Sequence, residues 1–428
     1  MKRISFLSIA AAFAIAGTAY SAPSKPDILF VLVDSVRPSH MGCYGYPRGT
    51  TPFLDRFARE EAVRFETVVA GGSWTQPAVM SLFTSVEPGV HLRVRPDAPH
   101  AVGLATLAGA LRDAGYQTVG VTANAMTNRR FGFGSGFDVW DDYSATVSPD
   151  AGPARIGSGY AQGMALTRLG LGRLARRDPE KPLFLFLFYM DPHWDFHPPP
   201  PYDEKFSDSP VPPPAGIWMA PASKVDGAMR RRVVDAYDGE IAAFDHAVSN
   251  LVAAVSATPR WRDTLLVVAG DHGEAFWERG WASHGNNLCD DELLVPLLVR
   301  PPAGASPFRP GAVVRGQVGA VDVAPTVLDL AGVEIPRGWS GRSLKGLLGG
   351  GASDGRPVVS ETRIARPGGW VRSARTDQWK VVAAQPFDSV LEAYDLAADP
   401  GETNNLARTW KSPPPEVAGL MPLLKPKR

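Results

Sequence analysis

The chain has 428 residues, room for one large α/β domain and a smaller one. Its 44 Lys+Arg balance 44 Asp+Glu, so the formal net charge is zero and no electrostatic argument favours nucleic acid or an anionic membrane surface as partner. Hydrophobic residues make up 44%, an ordinary globular share, while 40 Pro and 43 Gly argue for many loops and against a helical bundle.

The first segment carries Lys2 and Arg3, an apolar run over 4–16 and small residues up to Ala22. This pattern predicts a secretory signal peptide over 1–22, removed to leave an exported protein, periplasmic or secreted. The apolar run is short for an uncleaved anchor, and no later stretch is long enough to span a bilayer, so no stable membrane insertion is expected. Cys43 and Cys289 are the only cysteines. They make neither a disulfide framework nor a zinc knuckle, and whether they pair stays open.

Further on, apolar runs rich in branched residues predict buried strands over 27–33, 117–122, 182–188, 265–270 and 295–299. Helical spacing predicts helices over 53–65, 102–114 and 231–255. The alternation argues for an α/β fold, a doubly wound and mainly parallel sheet flanked by helices. Segments 146–159 and 197–222 are rich in Pro, Gly and Ser and are expected to loop over the mouth of a site. Segment 346–355 is expected to separate a main domain, 25–345, from a C-terminal subdomain, 356–428, with a small antiparallel sheet.

Several strands end in chemistry. Asp34 follows the first, Asp191-Pro192-His193 follows the 182–188 run, and Asp271-His272-Gly273-Glu274 follows the 265–270 run. In open α/β sheets ligands sit at strand ends, so these groups are expected to converge at one sheet edge. A carboxylate beside an imidazole suits zinc or manganese. A solvated turn capping a helix is the rival for Asp271-His272.

At this point the chain resembles the sulfatase family of the alkaline phosphatase superfamily over most of its length. The resemblance rests on Asp34-Ser35-Val36-Arg37 with His40-Met41-Gly42-Cys43-Tyr44-Gly45, on Ser73-Trp74-Thr75-Gln76-Pro77-Ala78, on Asp322-Val323-Ala324-Pro325-Thr326 and on the run from Tyr394 to Ala407. It implies an alkaline phosphatase-like fold and an ester hydrolase that needs a divalent metal. Asp34 and Asp271 match metal-ligating acids of the family. His272 stands where many sulfatases have Asn and phosphodiesterase-like members have His; Ser35 replaces a second Asp. That exchange favours zinc or manganese, with calcium or magnesium as lesser choices.

The nucleophile position departs further. Ordinary sulfatases carry Cys or Ser there, converted to formylglycine, then Pro and Arg at fixed spacing. Here the residues are Thr75, Pro77 and Val79. Thr cannot become formylglycine, but superfamily members with a metal-bound Thr nucleophile exist. The resemblance therefore implies Asp34, Thr75, Asp271 and His272 as metal ligands, with Thr75 also attacking the substrate to form a covalent ester. A Thr ester lacks the aldehyde exit of formylglycine and needs a second displacement, which phosphorus accepts more readily than sulfur. His193 is expected to protonate the leaving alcohol. His284 and Asn124 are expected to bind substrate, though a loop hydrogen bond is a near rival for His284. Arg129 and Arg130 either substitute for the family's Lys and His on the sulfate or are ordinary surface charges, and are not counted in the site; Lys380 is read as structural and Glu274 as orienting the turn. The expected substrate is a sulfate or phosphate ester, glycan-linked in one version. A phosphodiesterase or phospho-alcohol transferase acting on cell-surface glycans is the second enzyme reading. A non-catalytic, glycan-binding pseudo-sulfatase is the reading without chemistry.

Overall fold

The computed structural model describes residues 25–92, 103–142, 163–208, 211–363, 369–387, 389–410 and 412–425. The expected signal peptide and the 146–159 loop lie outside these residues. In chain order the strands are β1 (Asp27–Val33), β2 (Val63–Val69), β3 (Gln117–Thr122), β4 (Val139–Asp141), β5 (Leu183–Tyr189), β6 (Thr264–Gly270), β7 (Ala275–Phe276), β8 (Ala282–Ser283), β9 (Leu294–Val295), β10 (Leu297–Arg300), β11 (Val313–Gly319) and β12 (Gly351–Ala352). Then come β13 (Val358–Arg363), β14 (Trp370–Arg375), β15 (Trp379–Ala384) and β16 (Val390–Asp395).

A ten-stranded sheet runs β12-β11-β2-β10-β6-β1-β5-β3-β4, with β9 beside β2. Strands β6, β1, β5, β3 and β4 are mutually parallel, as expected. Strand β10 is not; it pairs antiparallel with both β6 and β2. Every residue of β1, β5 and β6 is buried, which is why these runs read as continuously apolar. Alternate side chains serve two cores. Leu29, Val31 and Val33 pack with Leu185 and Leu187 under the helix Gly227–Ser256. Ile28, Phe30 and Leu32 pack with Phe184, Phe186 and Phe188 and with the helices Thr75–Thr84 and Val323–Leu330 on the other face. The sheet is thus covered on both sides, as a doubly wound fold requires.

Three expectations need correction. The helix expected over 53–65 ends at Glu60, and Val63–Val69 is a strand. Its alternating burial, with Val63 and Phe65 inside and Glu66 outside, fits period two, and pairing with β10 and β11 decides the matter. The helix expected over 102–114 is Leu107–Asp113, capped by the Thr106 hydroxyl, which accepts from the Gly109 amide. The 346–355 segment supplies β12, which pairs with Val314 and Arg315 of the main sheet. The C-terminal antiparallel sheet is present and ordered β13-β14-β15-β16. Lys380 on β15 is fully buried and bonds Asp290 at 2.5 Å and Glu402 at 2.6 Å. Cys43 and Cys289 are free thiols.

Candidate metal centre and active site

Parallel strands point their carboxyl ends at one edge, so β6, β1, β5 and β3 deliver their following residues side by side. Asp34 follows β1, Asn124 follows β3 by one further residue, His193 lies in the turn after β5, and Asp271-His272 follows β6. The ladder continues into the site: the Asp34 amide donates to Tyr189 O and the Asp271 amide to Val33 O. Thr75 arrives separately, as the first residue of the wholly buried helix Thr75–Thr84.

Asp34, Asp271 and His272 are buried and offer ligand atoms within 4.8 Å of one another. His272 Nε2 lies 3.4 Å from Asp34 Oδ1 and 3.4 Å from Asp271 Oδ2. The other ring nitrogen, Nδ1, is 2.9 Å from Gly273 O, a contact that only an Nδ1–H can make as a hydrogen bond. Nε2 therefore turns its lone pair to the two acids, the orientation of a metal-ligating histidine. Burial, with His284 nearby, pushes His272 down to about 3, so it stays neutral near pH 7. Burial and the neighbouring Asp34 push Asp271 well above the usual carboxylate range. Asp271 Oδ1 accepts from the amides of His272 (2.7 Å) and Ser35 (3.1 Å), whereas Oδ2 is buried with no hydrogen-bond partner. Two buried carboxylates, one orphaned oxygen and an imidazole lone pair facing both fit a divalent cation.

Thr75 Oγ1 lies 3.4 Å from His272 Nε2 and accepts from Asn124 Nδ2 at 3.3 Å. The same Nδ2 donates to Asp34 Oδ2, and Asn124 Oδ1 accepts from the Met126 amide. Asn124 thus touches both a candidate ligand and the candidate nucleophile. Ser35 is not a spectator either. It is held at φ 55°, an unusual conformation for a residue with a side chain, and its hydroxyl donates to Asp34 Oδ1 at 2.8 Å. The buried Tyr237 hydroxyl donates to Ser35 O at 2.7 Å.

His284 follows the β7–β8 hairpin. Its ring centroid lies 4.3 Å from that of His272 and 5.2 Å from that of His193, so the three imidazoles adjoin. His284 Nδ1 is 3.0 Å from Glu274 Oε2, inside the buried turn, and burial pushes His284 down to about 4. Glu274, read from sequence only as orienting the turn, is the hydrogen-bond partner of a site histidine. Gly273 explains how that turn fits: a β-carbon there would lie 2.1 Å from Asp291 O. The Gly285 amide donates to Ser73 O at 2.7 Å, tying the hairpin to the Thr75 segment. Arg129 is committed to Asp142 and to the Trp140 carbonyl. Among the described residues, no helix is long and apolar enough to cross a membrane.

Comparison with known proteins places this geometry. Residues 26–333 match the Sulfatase family model, and residues 278–413 match that of the N-sulphoglucosamine sulphohydrolase C-terminal region. The chain is 27% identical over 259 residues to an arylsulfatase of Clostridium perfringens, a match covering 54% of this chain and 51% of that one. The chain thus spans about half the length of that relative. It is 27% identical to the multifunctional alkaline phosphatase superfamily protein PehA of Trinickia caryophylli, over 90% of this chain and 91% of that one. Among solved structures, one in complex with its substrate D-glucosamine-2-N,6-O-disulfate superposes with a TM-score of 0.75 at 21% identity, covering 94% of this chain and 97% of the other. The phosphonate monoester hydrolase of Agrobacterium radiobacter gives 0.73 at 20% identity, covering 93% of each. With the family model matched over residues 26–333, through every strand end that carries a candidate site residue, the chain belongs to the sulfatase family.

Proposed function

We propose that the chain is a metal-dependent hydrolase of sulfate or phosphate esters with Thr75 as its nucleophile. One observation carries the reading. A hydroxyl at the start of a buried helix sits 3.4 Å from the imidazole nitrogen that faces Asp34 and Asp271. Asp34, Asp271 and His272, with Thr75 beside them, would hold the divalent ion, and two carboxylates with one imidazole suit zinc or manganese ahead of calcium or magnesium. Such an ion supplies Lewis-acid stabilisation of oxyanion charge and eases loss of a nearby hydroxyl proton.

The chain's own groups do the rest. Asn124 Nδ2 and the helix start orient Thr75 Oγ1. Thr75 Oγ gives its proton to solvent and attacks the phosphorus or sulfur in line, and the bond to the departing alcohol breaks. His193 donates the proton that leaves with that alcohol. Water then attacks the same central atom, the bond to Thr75 breaks, and the hydroxyl is restored. His284, whose Nδ1 accepts from the protonated Glu274 carboxyl, keeps an Nε2–H to donate to a non-bridging substrate oxygen. The second displacement favours phosphorus over sulfur. The phosphonate monoester hydrolase fold neighbour supports that preference, and the glucosamine disulfate complex supports a glycan-linked ester. The charged start and apolar run of residues 1–22 support an exported protein.

The test is a paired assay of an aryl sulfate, a phosphate monoester and a phosphodiester, with and without zinc or manganese. Thr75→Ala should abolish turnover of every ester the wild type cleaves, and the quenched wild type should carry the transferred group on the Thr75 peptide by mass spectrometry. Full activity in Thr75→Ala would sink the reading. A glycan binder without chemistry would hold no stoichiometric transition metal.

A further inference from the structure

The helix Gly227–Ser256 carries an acid where its packing calls for an apolar residue. Tyr237 through Ile241 is buried without a break, and Glu240 is 5% exposed. A buried carboxyl group needs hydrogen-bond partners, and here they are main-chain. Glu240 Oε1 accepts from the His197 amide at 2.6 Å, and the dipole of the His193 amide favours the charged form of the same carboxyl. The loop that carries His193 is therefore tied to this side chain at His197.

The neighbouring contacts make this clamp tight. At Gly239 the helix has no side chain, and a β-carbon there would lie 2.6 Å from Tyr202 O and 2.9 Å from Pro198 Cβ. The loop comes that close to the helix. Its outer face is packed too. The Trp194 and Phe196 rings are 4.4 Å apart, and Phe196 lies 5.2 Å from Tyr237. Asp195 Oδ1 accepts from Trp218 Nε1 at 3.1 Å. Burial and the neighbouring Asp191 push Glu240 well above the usual carboxylate range. A neutral carboxyl still offers a carbonyl oxygen to the His197 amide.

We propose that Glu240 is a positioning residue of the active site, a buried main-chain clamp that fixes the loop presenting His193 to the leaving group. The inference rests on the reading of His193 as proton donor given above. Glu240 touches no substrate; it acts through the backbone of the loop that follows His193.

The experiment uses phosphate esters that differ in leaving group: 4-nitrophenyl phosphate, whose phenolate departs without help, and an alkyl phosphate, whose alkoxide needs a proton. In Glu240→Met, kcat on the alkyl ester should fall about tenfold to a hundredfold, and kcat on the aryl ester by no more than about twofold. Glu240→Gln keeps the acceptor oxygen and should retain both rates. His193→Ala/Glu240→Met should be no slower on the alkyl ester than His193→Ala. Should Glu240→Met not fold, Glu240→Asp, which draws the acceptor back by one methylene, carries the same selective loss. Equal losses on both esters, Gln as damaging as Met, or additive losses in the double variant would overturn the proposal. If His193→Ala itself spares the alkyl ester, the reading of His193 fails first; if only the Glu240 variants misbehave, this inference fails alone.

Discussion

Metal should reverse the order of stability between wild type and Asp271→Asn. Asp271 Oδ1 accepts from two amides, while Oδ2 has no hydrogen-bond partner. The Asn carbonyl can keep both bonds, and its amide then replaces the oxygen that a cation needs. The ligand atoms of Asp34 and Asp271 lie within 4.8 Å, where two full charges repel by about 3 kcal/mol at an effective dielectric of ~20. Asp271 is accordingly pushed up from the ordinary 3.8 by burial and by Asp34. For an acid, a raised folded-state value costs stability as pH climbs above that ordinary value; the cost is absent in strong acid. Near neutral pH the metal-free variant should therefore be more stable than metal-free wild type, by up to about 3 kcal/mol. With metal the sign reverses. An ion present at about a hundred times its Kd stabilises the wild type by about 2.7 kcal/mol, most of which the variant should lose with one of its ligands. Thermal unfolding in chelator and in saturating zinc or manganese, near neutrality and in mild acid, reads both effects. A wild-type midpoint that no divalent ion raises, or a variant raised equally, would refute the metal-centre reasoning.

Other outcomes follow from the same contacts. Gly273→Ala should displace the turn that carries His272, because Asp291 O blocks a β-carbon; we expect at least about tenfold weaker metal binding by titration and a loss of about 1–3 kcal/mol in denaturant unfolding. Phe186→Ala removes a fully buried ring that packs against Phe30, Phe83 and Trp140, and should cost about 3–5 kcal/mol without changing metal stoichiometry. Against burial, Lys380 and Arg375 hold Asp290 well below its ordinary 3.8. A depressed folded-state value stabilises above 3.8 and is lost as pH falls below it. Asp290→Asn should therefore be less stable than wild type by about 3–5 kcal/mol at neutral pH, with the gap closing in acid unfolding curves.

Much of the site was legible because the signal is local. An apolar run that stops at an acid or imidazole marks both a buried strand and what stands at its end, so Asp34 and Asp271-His272 were visible without neighbours. His193 was visible on the same ground. Thr75 was not; its segment reads as an ordinary buried helix start, and only the family resemblance singled it out. Asn124 was expected to meet substrate, whereas its amide is engaged by Asp34 and Thr75. Glu240 gave no distinct local sign, since Asp238 and Asp245 of the same helix are buried acids too, and nothing nearby in the chain names its partners.

Run length, period and terminal residues thus determined the α/β class, the central strands and which side chains stand at their ends, since burial and alternation are properties of each segment alone. The antiparallel insertion of β10, the strand character of Val63–Val69 and the contacts by which Thr75, Asn124 and His284 join Asp34, Asp271 and His272 were decided only by tertiary structure. The physical reason is that a segment encodes how deeply it is buried, but the groups that meet inside are chosen by packing. The Ser35 amide reaches Asp271, and Lys380 reaches Asp290, across stretches of chain that carry no local trace of the bond.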